Sequence, residues 1–292
     1  MRLTVVHPAS LWCSWGMSYG LTDCLQRMGH EVTAVPVDPQ KPHALLKRPK
    51  LGECDAVILS GPEHLMPLLV EWPHRIGDAP VVGWIHESVE RPDYKLNVEA
   101  IKKVTDICFC PAAQDHRHGF RHLPLGVDTA IFKPGEAKKD VDAGFIGLLY
   151  AKRVEFLKGL APHLNGTRLV CGNVQVLELD GLNPRKTAEL YAENIRRIKV
   201  FVNLPSLSVM AVSKIYEVLA CGTPVLTPEI SEMENLKSLP VSVYRGPNDL
   251  SKRLHSMLKE NPSTESLAKI MHGEHRLELR CDALVKAVEE LN

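Results

Sequence analysis

The sequence predicts an α/β protein built on parallel sheets, and three observations carry that prediction. The runs of strand length at 55–60 and 80–85 have continuous apolar interiors, which fits strands covered on both faces. They alternate with segments whose apolar residues recur at helical spacing. A charged, glycine-containing stretch at 135–140 then separates two such series, as at a domain boundary. The chain has 292 residues, and two domains of roughly 130 to 150 residues would each bury a proper core.

Taken in order, residues 3–6 give the first strand. A loop over 7–20 containing Gly16 and Gly20 follows, then a helix over 21–29. Strand, glycine loop and helix in that order suit close approach to a phosphate or sugar, because glycine leaves room and a helix N-terminus supplies amide donors. The spacing is not the dinucleotide fingerprint, so a Rossmann cofactor is not indicated and a purely structural turn stays open. A second strand covers 31–37. Lys41, His43, Lys47, Arg48 and Lys50 then form a basic cluster that reads either as a solvated loop or as a landing place for an anionic acceptor.

The apolar run at 80–85 ends at His86-Glu87. Functional side chains in open α/β sheets gather at the carboxyl ends of strands, so His86 is the histidine best placed to touch a substrate, the alternative being a satisfied loop residue. Residues 107–110 form a further strand on which Cys108 and Cys110 point to one face, favouring core packing over zinc. In the run His116 to His122, Gly119 interrupts the only helical pair of histidines. A protonatable basic patch fits that run better than a metal site.

The second series reads as strand and glycine turn at 143–147, helix at 153–160, and strand at 168–171 ending in Gly172-Asn173. It continues with a helix at 187–197 and a strand at 200–203, and after the stretch described next come strands at 224–227 and 241–244. Helices at 248–259 and 264–290 close the chain.

The most informative stretch runs from Ser213 to Leu226. Ile215, Val218 and Leu219 fall at helical spacing, Gly222 sits where a C-cap glycine belongs, and Pro224 prevents the helix from continuing. Lys214 and Glu217 are three residues apart and share one face, expected to be exposed. A carboxylate can accept two hydrogen bonds from the vicinal diol of a ribose, and an ammonium one turn earlier can neutralise a phosphate. The competing reading is an ordinary surface salt bridge.

Totals narrow the classes. With 35 basic and 35 acidic residues the formal net charge is zero, so bulk electrostatics give no reason for a nucleic-acid or membrane coat. No run of about 18 apolar residues occurs, and Met1 leads directly into a strand, which together suggest a soluble, cytoplasmic protein without a transmembrane segment. The eight cysteines are scattered and expected to be reduced.

Three segments resemble a known family. Leu123 to Pro134, with its Gly126-Val127-Asp128 and Phe132-Lys133-Pro134, is similar to the segment that opens the second domain of GT-B glycosyltransferases of carbohydrate-active family four. Lys214 to Val225 resembles their Glu-Ala-x-Ala-x-Gly-x-Pro-Val signature, and Ala143 to Arg153 looks like their phosphate-binding glycine turn followed by a basic residue. Lys214-x-x-Glu217 with Gly147 and Arg153 upstream is most similar to the spore-maturation-type branch.

The resemblance implies two Rossmann-like parallel-sheet domains facing across a cleft: an acceptor-side domain over 1–134, a nucleotide-sugar domain over 135–275, and a helix over 276–292 crossing back. It implies hexosyl or pentosyl transfer from a nucleoside diphosphate sugar, UDP favoured, with retention at the anomeric carbon and neither a metal nor a cofactor. Glu217 would hold the donor ribose, and Arg153 with Lys214 would neutralise the diphosphate. Gly16, Gly147, Gly172 and Asn173 would line the donor, and His86 would contact the transferred sugar. Two positions depart from the pattern: Met210 stands where the family often has a second glutamate, and Leu148 where many members have arginine.

The acceptor is left open among glycans, small molecules, lipids, proteins and modified DNA bases. Two further functions compete with transfer, namely a nucleotide-sugar-binding protein that does not turn over and an epimerase acting on the donor itself.

Overall fold

A computed structural model describes residues 1–9, 17–37, 54–65, 69, 79–89, 98–172, 183–206, 210–230, 236, 239, 241–260 and 265–292. Gly16, the basic cluster at 41–50 and Asn173 lie outside them. The chain divides into two compact units, one formed by Met1–Gly126 with Leu277–Asn292 and the other by Val127–Arg276.

Unit 1 holds a six-stranded sheet whose order is β2-β1-β3-β4-β5-β6. Its strands are β1 (Arg2–Pro8), β2 (Glu31–Val37), β3 (Ala56–Ser60), β4 (Val81–Trp84), β5 (Ile107–Cys110) and β6 (Arg121–His122). Every pairing is parallel. β3, β4 and β5 are buried along their whole length, as continuous apolar runs require of strands covered on both faces. Cys108 and Cys110 pack in this core with Val57, Leu59, Ile85 and Phe120. Gly83 pairs with Cys108, and a Cβ there would stand 2.9 Å from the Cys108 sulfur, so β4 and β5 carry their side chains on that face only because position 83 has none.

The helices of unit 1 are α1 (Met17–Arg27), α2 (Val98–Val104) and, from the chain's end, α8 (Leu277–Glu289). α1 begins at Met17, earlier than the expected position 21, so Gly20 lies within the helix and not in a loop. Its bare Cα faces Leu277, whose Cδ2 would sit 3.3 Å from an added Cβ, so the residue serves helix packing against α8.

Unit 2 holds a five-stranded parallel sheet ordered β11-β10-β9-β7-β8. The strands are β7 (Val141–Ile146), β8 (Leu169–Gly172), β9 (Ile198–Val202), β10 (Val225–Thr227) and β11 (Val241–Val243). Between and after them run α3 (Ala151–Leu160), α4 (Pro184–Arg196), α5 (Ser213–Ala220), α6 (Pro247–Glu260) and α7 (Glu265–Glu274). α4 starts with Pro184 in its first turn and with Asn183 Oδ1 accepting from Lys186 N at 2.9 Å, an N-cap with a side-chain partner. α5 stops as its sequence requires: Gly222 takes φ +73°, its N–H reaches Leu219 O, and Thr223 N–H reaches Val218 O.

The single helix expected over 264–290 is two helices, α7 and α8. At the break, Val127 N donates to His275 O at 2.9 Å and Arg276 forms a parallel bridge with Val127. Pairing with a distant segment takes the place of helical bonds there, a tertiary effect that helical periodicity does not register.

Candidate functional site

In unit 2 the predicted donor residues converge where β7 ends. Phe145 is its penultimate residue, and Gly147 follows, with its N–H donating to Gly172 O at 2.9 Å so that the turn is tied to the end of β8. A Cβ on Gly147 would collide with Lys214 Nζ and the Phe145 ring, so this glycine provides the space that the ammonium occupies. Lys214 Nζ stands 4.7 Å from the Phe145 ring centroid and Arg153 Cζ 5.0 Å from it, so one aromatic ring serves two cations. Arg153 Cζ also lies 4.5 Å from the Tyr150 ring.

Arg153 comes from the first turn of α3 and is 7% exposed. Its Nε donates to Pro205 O at 3.0 Å and its Nη1 to Leu148 O at 2.8 Å, while Tyr150 Oη donates to the same Pro205 carbonyl at 2.8 Å. The guanidinium is thus a fixed charge that also ties two loops together. Leu148, noted in the sequence for lacking a cationic side chain, contributes its carbonyl to that arrangement and leaves its side chain 43% exposed.

Lys214 extends from the first turn of α5 and Glu217 from one turn later. The expected exposed face is corrected: Glu217 is 6% exposed, because α5 packs among neighbouring elements of unit 2, and a solvated surface salt bridge is ruled out. Burial pushes the Lys214 ammonium down to about 7, Arg153 adds to that, and Glu217 opposes it. Burial likewise pushes the Glu217 carboxyl up to about 7 against Lys214 and the hydroxyls of Tyr191 and Ser213. The buried Tyr191 hydroxyl is near Glu217 but makes no hydrogen bond of good geometry. A cavity of about 460 Å³ runs along β7 and β8 to the residues that precede them, bordered by Phe145, Val170, Gly172, Asp140, Arg168 and Arg197; Arg153, Lys214 and Glu217 do not line it.

In unit 1, His86 directly follows Ile85 at the carboxyl end of β4 and is 8% exposed. Its Nε2 lies 3.3 Å from Ser60 Oγ at the end of β3, and Ser60 Oγ lies 3.0 Å from Ser18 Oγ in the first turn of α1. The backbone N–H of His86 donates to Glu63 Oε1 at 2.8 Å. Burial pushes the imidazole down to about 3, with His64 acting in the same direction, so the ring is neutral at physiological pH. The histidines of the run after β5 are used locally: His116 Nδ1 meets Phe120 O at 2.8 Å and His122 Nε2 meets Pro111 O at 3.2 Å. Arg121 in the same run pairs with Glu290.

Sequence reading thus gathers Arg153, Lys214, Glu217, Gly147 and Gly172 within unit 2 and leaves His86 in unit 1. It missed Phe145, Tyr150 and Pro205 around the cations, and Ser18, Ser60 and Glu63 around the histidine. Phe145 had a usable signal, since two residues before the glycine on a strand puts it on the same face. Pro205 acts through its carbonyl, which no side-chain pattern reports.

No protein-family model matches the chain, and no curated protein matches it. Solved structures do. AviGT4, a glycosyltransferase involved in avilamycin A biosynthesis, superposes with a TM-score of 0.70 at 14% identity, over 100% of this chain and 98% of its own. An α-glucosyltransferase in complex with UDP and a 13-mer DNA containing a central A:G mismatch gives 0.67 at 13% identity, over 99% and 100%. Anabaena Alr3699/HepE in complex with UDP gives 0.65 at 10%, over 99% and 100%. At such identities the likeness shows the fold, and two parallel-strand sheets of six and five strands match the GT-B glycosyltransferase architecture.

Proposed function

We propose that this GT-B protein is a glycosyltransferase whose second unit grips a nucleoside diphosphate sugar, with UDP as the favoured nucleotide. The observation that carries the proposal is the placement of Lys214 and Arg153 on the Phe145 ring beside the side-chain-free Gly147, with Glu217 one turn further along α5. A buried cation, Arg153, and a half-buried one, Lys214, beside a single buried carboxylate form an incompletely compensated group, and an anionic ligand relieves that imbalance. UDP is favoured because two of the similar structures hold it, at full-length coverage.

In this reading Glu217 accepts the two ribose hydroxyls, and Lys214 and Arg153 face the diphosphate. During transfer the anomeric carbon–oxygen bond to the phosphate breaks while a bond to an acceptor hydroxyl oxygen forms, and the acceptor proton passes to the departing phosphate. Charge builds on that phosphate, and fixed cations in a site with little water lower the barrier without needing a metal. Among the described residues no second carboxylate joins Glu217 in the cation cluster. Front-face attack with retention is the stereochemistry assigned, and His86 is assigned the contact to the transferred sugar.

The test is a panel of UDP-, GDP- and ADP-sugars offered with candidate acceptors, reading release of the nucleoside diphosphate. Turnover with a UDP-sugar is expected; failure to bind any nucleoside diphosphate overturns the proposal. A second reading, binding without transfer, draws on Met210, which is 2% exposed where the resembling family often has a second glutamate. Tight UDP binding with no turnover across the acceptor panel selects it.

A further inference from the structure

The loop that follows β4 is held from both sides by buried carboxylates. Glu63, in the 3-10 turn after β3 (Pro62–His64), accepts the His86 N–H at 2.8 Å, and its side chain has no solvent exposure. Asp115, in the 3-10 turn after β5 (Ala113–His118), is fully buried, accepting Val89 N–H at 2.9 Å and Ser88 Oγ–H at 3.2 Å. Three neighbouring strand ends are therefore tied across residues 86–89. The side chain of His86 is held separately, through the Ser60 and Ser18 hydroxyls and an edge-on contact with Trp84 at 5.2 Å between ring centroids.

Three buried hydroxyls (Ser18, Ser60 and Ser88), two buried carboxyl groups and a buried imidazole gathered around one loop cost more to desolvate than apolar side chains in the same places. Packing alone does not account for them. A network of this kind holds a ring in one orientation; a serine hydroxyl can donate or accept, so it fixes where the ring lies and not which nitrogen carries the proton.

We propose that Glu63 and Ser60 are positioning residues for His86: Glu63 sets its backbone, and Ser60, backed by Ser18, sets the orientation of its ring, so that the other ring nitrogen is presented to substrate in a single direction. This deepens the assignment of His86 to the sugar contact and rests on it for its catalytic consequence, but the positioning itself is readable without any substrate. Burial pushes Glu63 up to about 8, so it is a neutral acid at pH 7 whose carbonyl oxygen accepts the N–H. Glutamine reproduces that acceptor, and alanine does not.

The test uses the full chain, with ring nitrogens and carbons of histidine observed by long-range NMR correlation in the wild type and in Ser60→Ala, Glu63→Ala and Glu63→Gln. In the wild type, His86 is expected to give one sharp set of signals, unchanged from pH 5 to 7. Ser60→Ala and Glu63→Ala are each expected to broaden or split the signals as the ring loses its single orientation, while Glu63→Gln restores the single set and shows that the loss is not simple unfolding. If Ser60→Ala and Glu63→Ala both keep the wild-type signals, the proposal is overturned.

Kinetics add an independent reading. Displacing a reacting group by about 1 Å costs on the order of 100-fold, so Ser60→Ala is expected to lower kcat with UDP affinity within about threefold of the wild type. An equal loss in UDP affinity contradicts positioning. A wild type that turns over no sugar nucleotide defeats the transferase reading while leaving the NMR result to judge the positioning of His86 on its own.

Discussion

The strand ends of the two units bury polar groups in opposite ways. In unit 1 the groups are made neutral and tied by hydrogen bonds: Glu63 is pushed up to about 8 and His86 down to about 3, so neither carries charge at pH 7. In unit 2 the charge of Arg153 is kept and fixed by two backbone carbonyls, and Lys214 and Glu217 are both brought to about 7. One end is built to hold a hydrogen-bonding group still. The other is left half-ionised next to a permanent cation, so that it gains most from an incoming anion.

This contrast can be broken by substitutions on either side. The largest effect is expected from Lys214→Ala, which removes a charged donor to the diphosphate and weakens UDP binding by about 1.5 to 3 kcal/mol, read by calorimetry. His86→Ala, on the uncharged side, is expected to leave UDP affinity within about threefold, or about 0.65 kcal/mol, because UDP lacks the transferred sugar that His86 is assigned to contact. Equal losses in the two variants would erase the distinction between the units. Gly147→Ala comes next, because the added methyl enters the space held by Lys214 Nζ and Phe145. Overpacking of that kind costs about 1 to 3 kcal/mol, and UDP binding is expected to fall with stability. A variant as stable and as tight-binding as wild type would show that the space at Gly147 is not needed.

A smaller effect sharpens the other side. Glu63 is held above its ordinary carboxyl value in the folded chain, with burial as the main cause and Glu87 adding to it, while His64 and Cys108 are its other titratable neighbours. A group whose folded value is raised contributes stability that is complete below its unfolded value of about 4.5 and is lost as pH climbs towards 8. Glu63→Gln should therefore gain a few degrees in melting temperature relative to wild type at pH 8 and little at pH 4.5. A constant difference across that range would mean that Glu63 is not held neutral.

The sequence made much of this visible, and the physical reason for each success is local. β2, β5 and the end of α5 could be read closely because apolar runs, alternation and a C-cap glycine are features of neighbouring residues. Lys214 and Glu217 were marked as candidates by their helical spacing, and Gly147 and Arg153 by the resemblance to a known family. What was not legible depends on distance along the chain. The break between α7 and α8 is made by Val127, and the burial of Glu217 by elements far from it in sequence. The partners of Arg153 are the carbonyls of Leu148 and Pro205, which have the same chemistry in any residue and leave no trace in composition. Glu63 follows Gly61-Pro62 with nothing in the sequence to mark it, and only the pairing of β3 with β4 brings it under His86.

The central claim is that the Lys214, Arg153 and Glu217 cluster receives the nucleoside diphosphate, and proton linkage tests it most directly. A diphosphate favours the charged form of Lys214, so binding takes up a proton above pH 7, where the free ammonium has largely lost it. Ribose hydroxyls favour the ionised form of Glu217, so binding releases a proton below pH 7, where the free carboxyl is largely protonated. Calorimetric titration with UDP in buffers of different ionisation enthalpy should show net proton uptake at pH 8 and net release at pH 6, with Lys214→Met abolishing the uptake and Glu217→Gln the release. Binding of UDP with the same proton count at both pH values, unaltered in both variants, would place the nucleotide elsewhere and contradict the account.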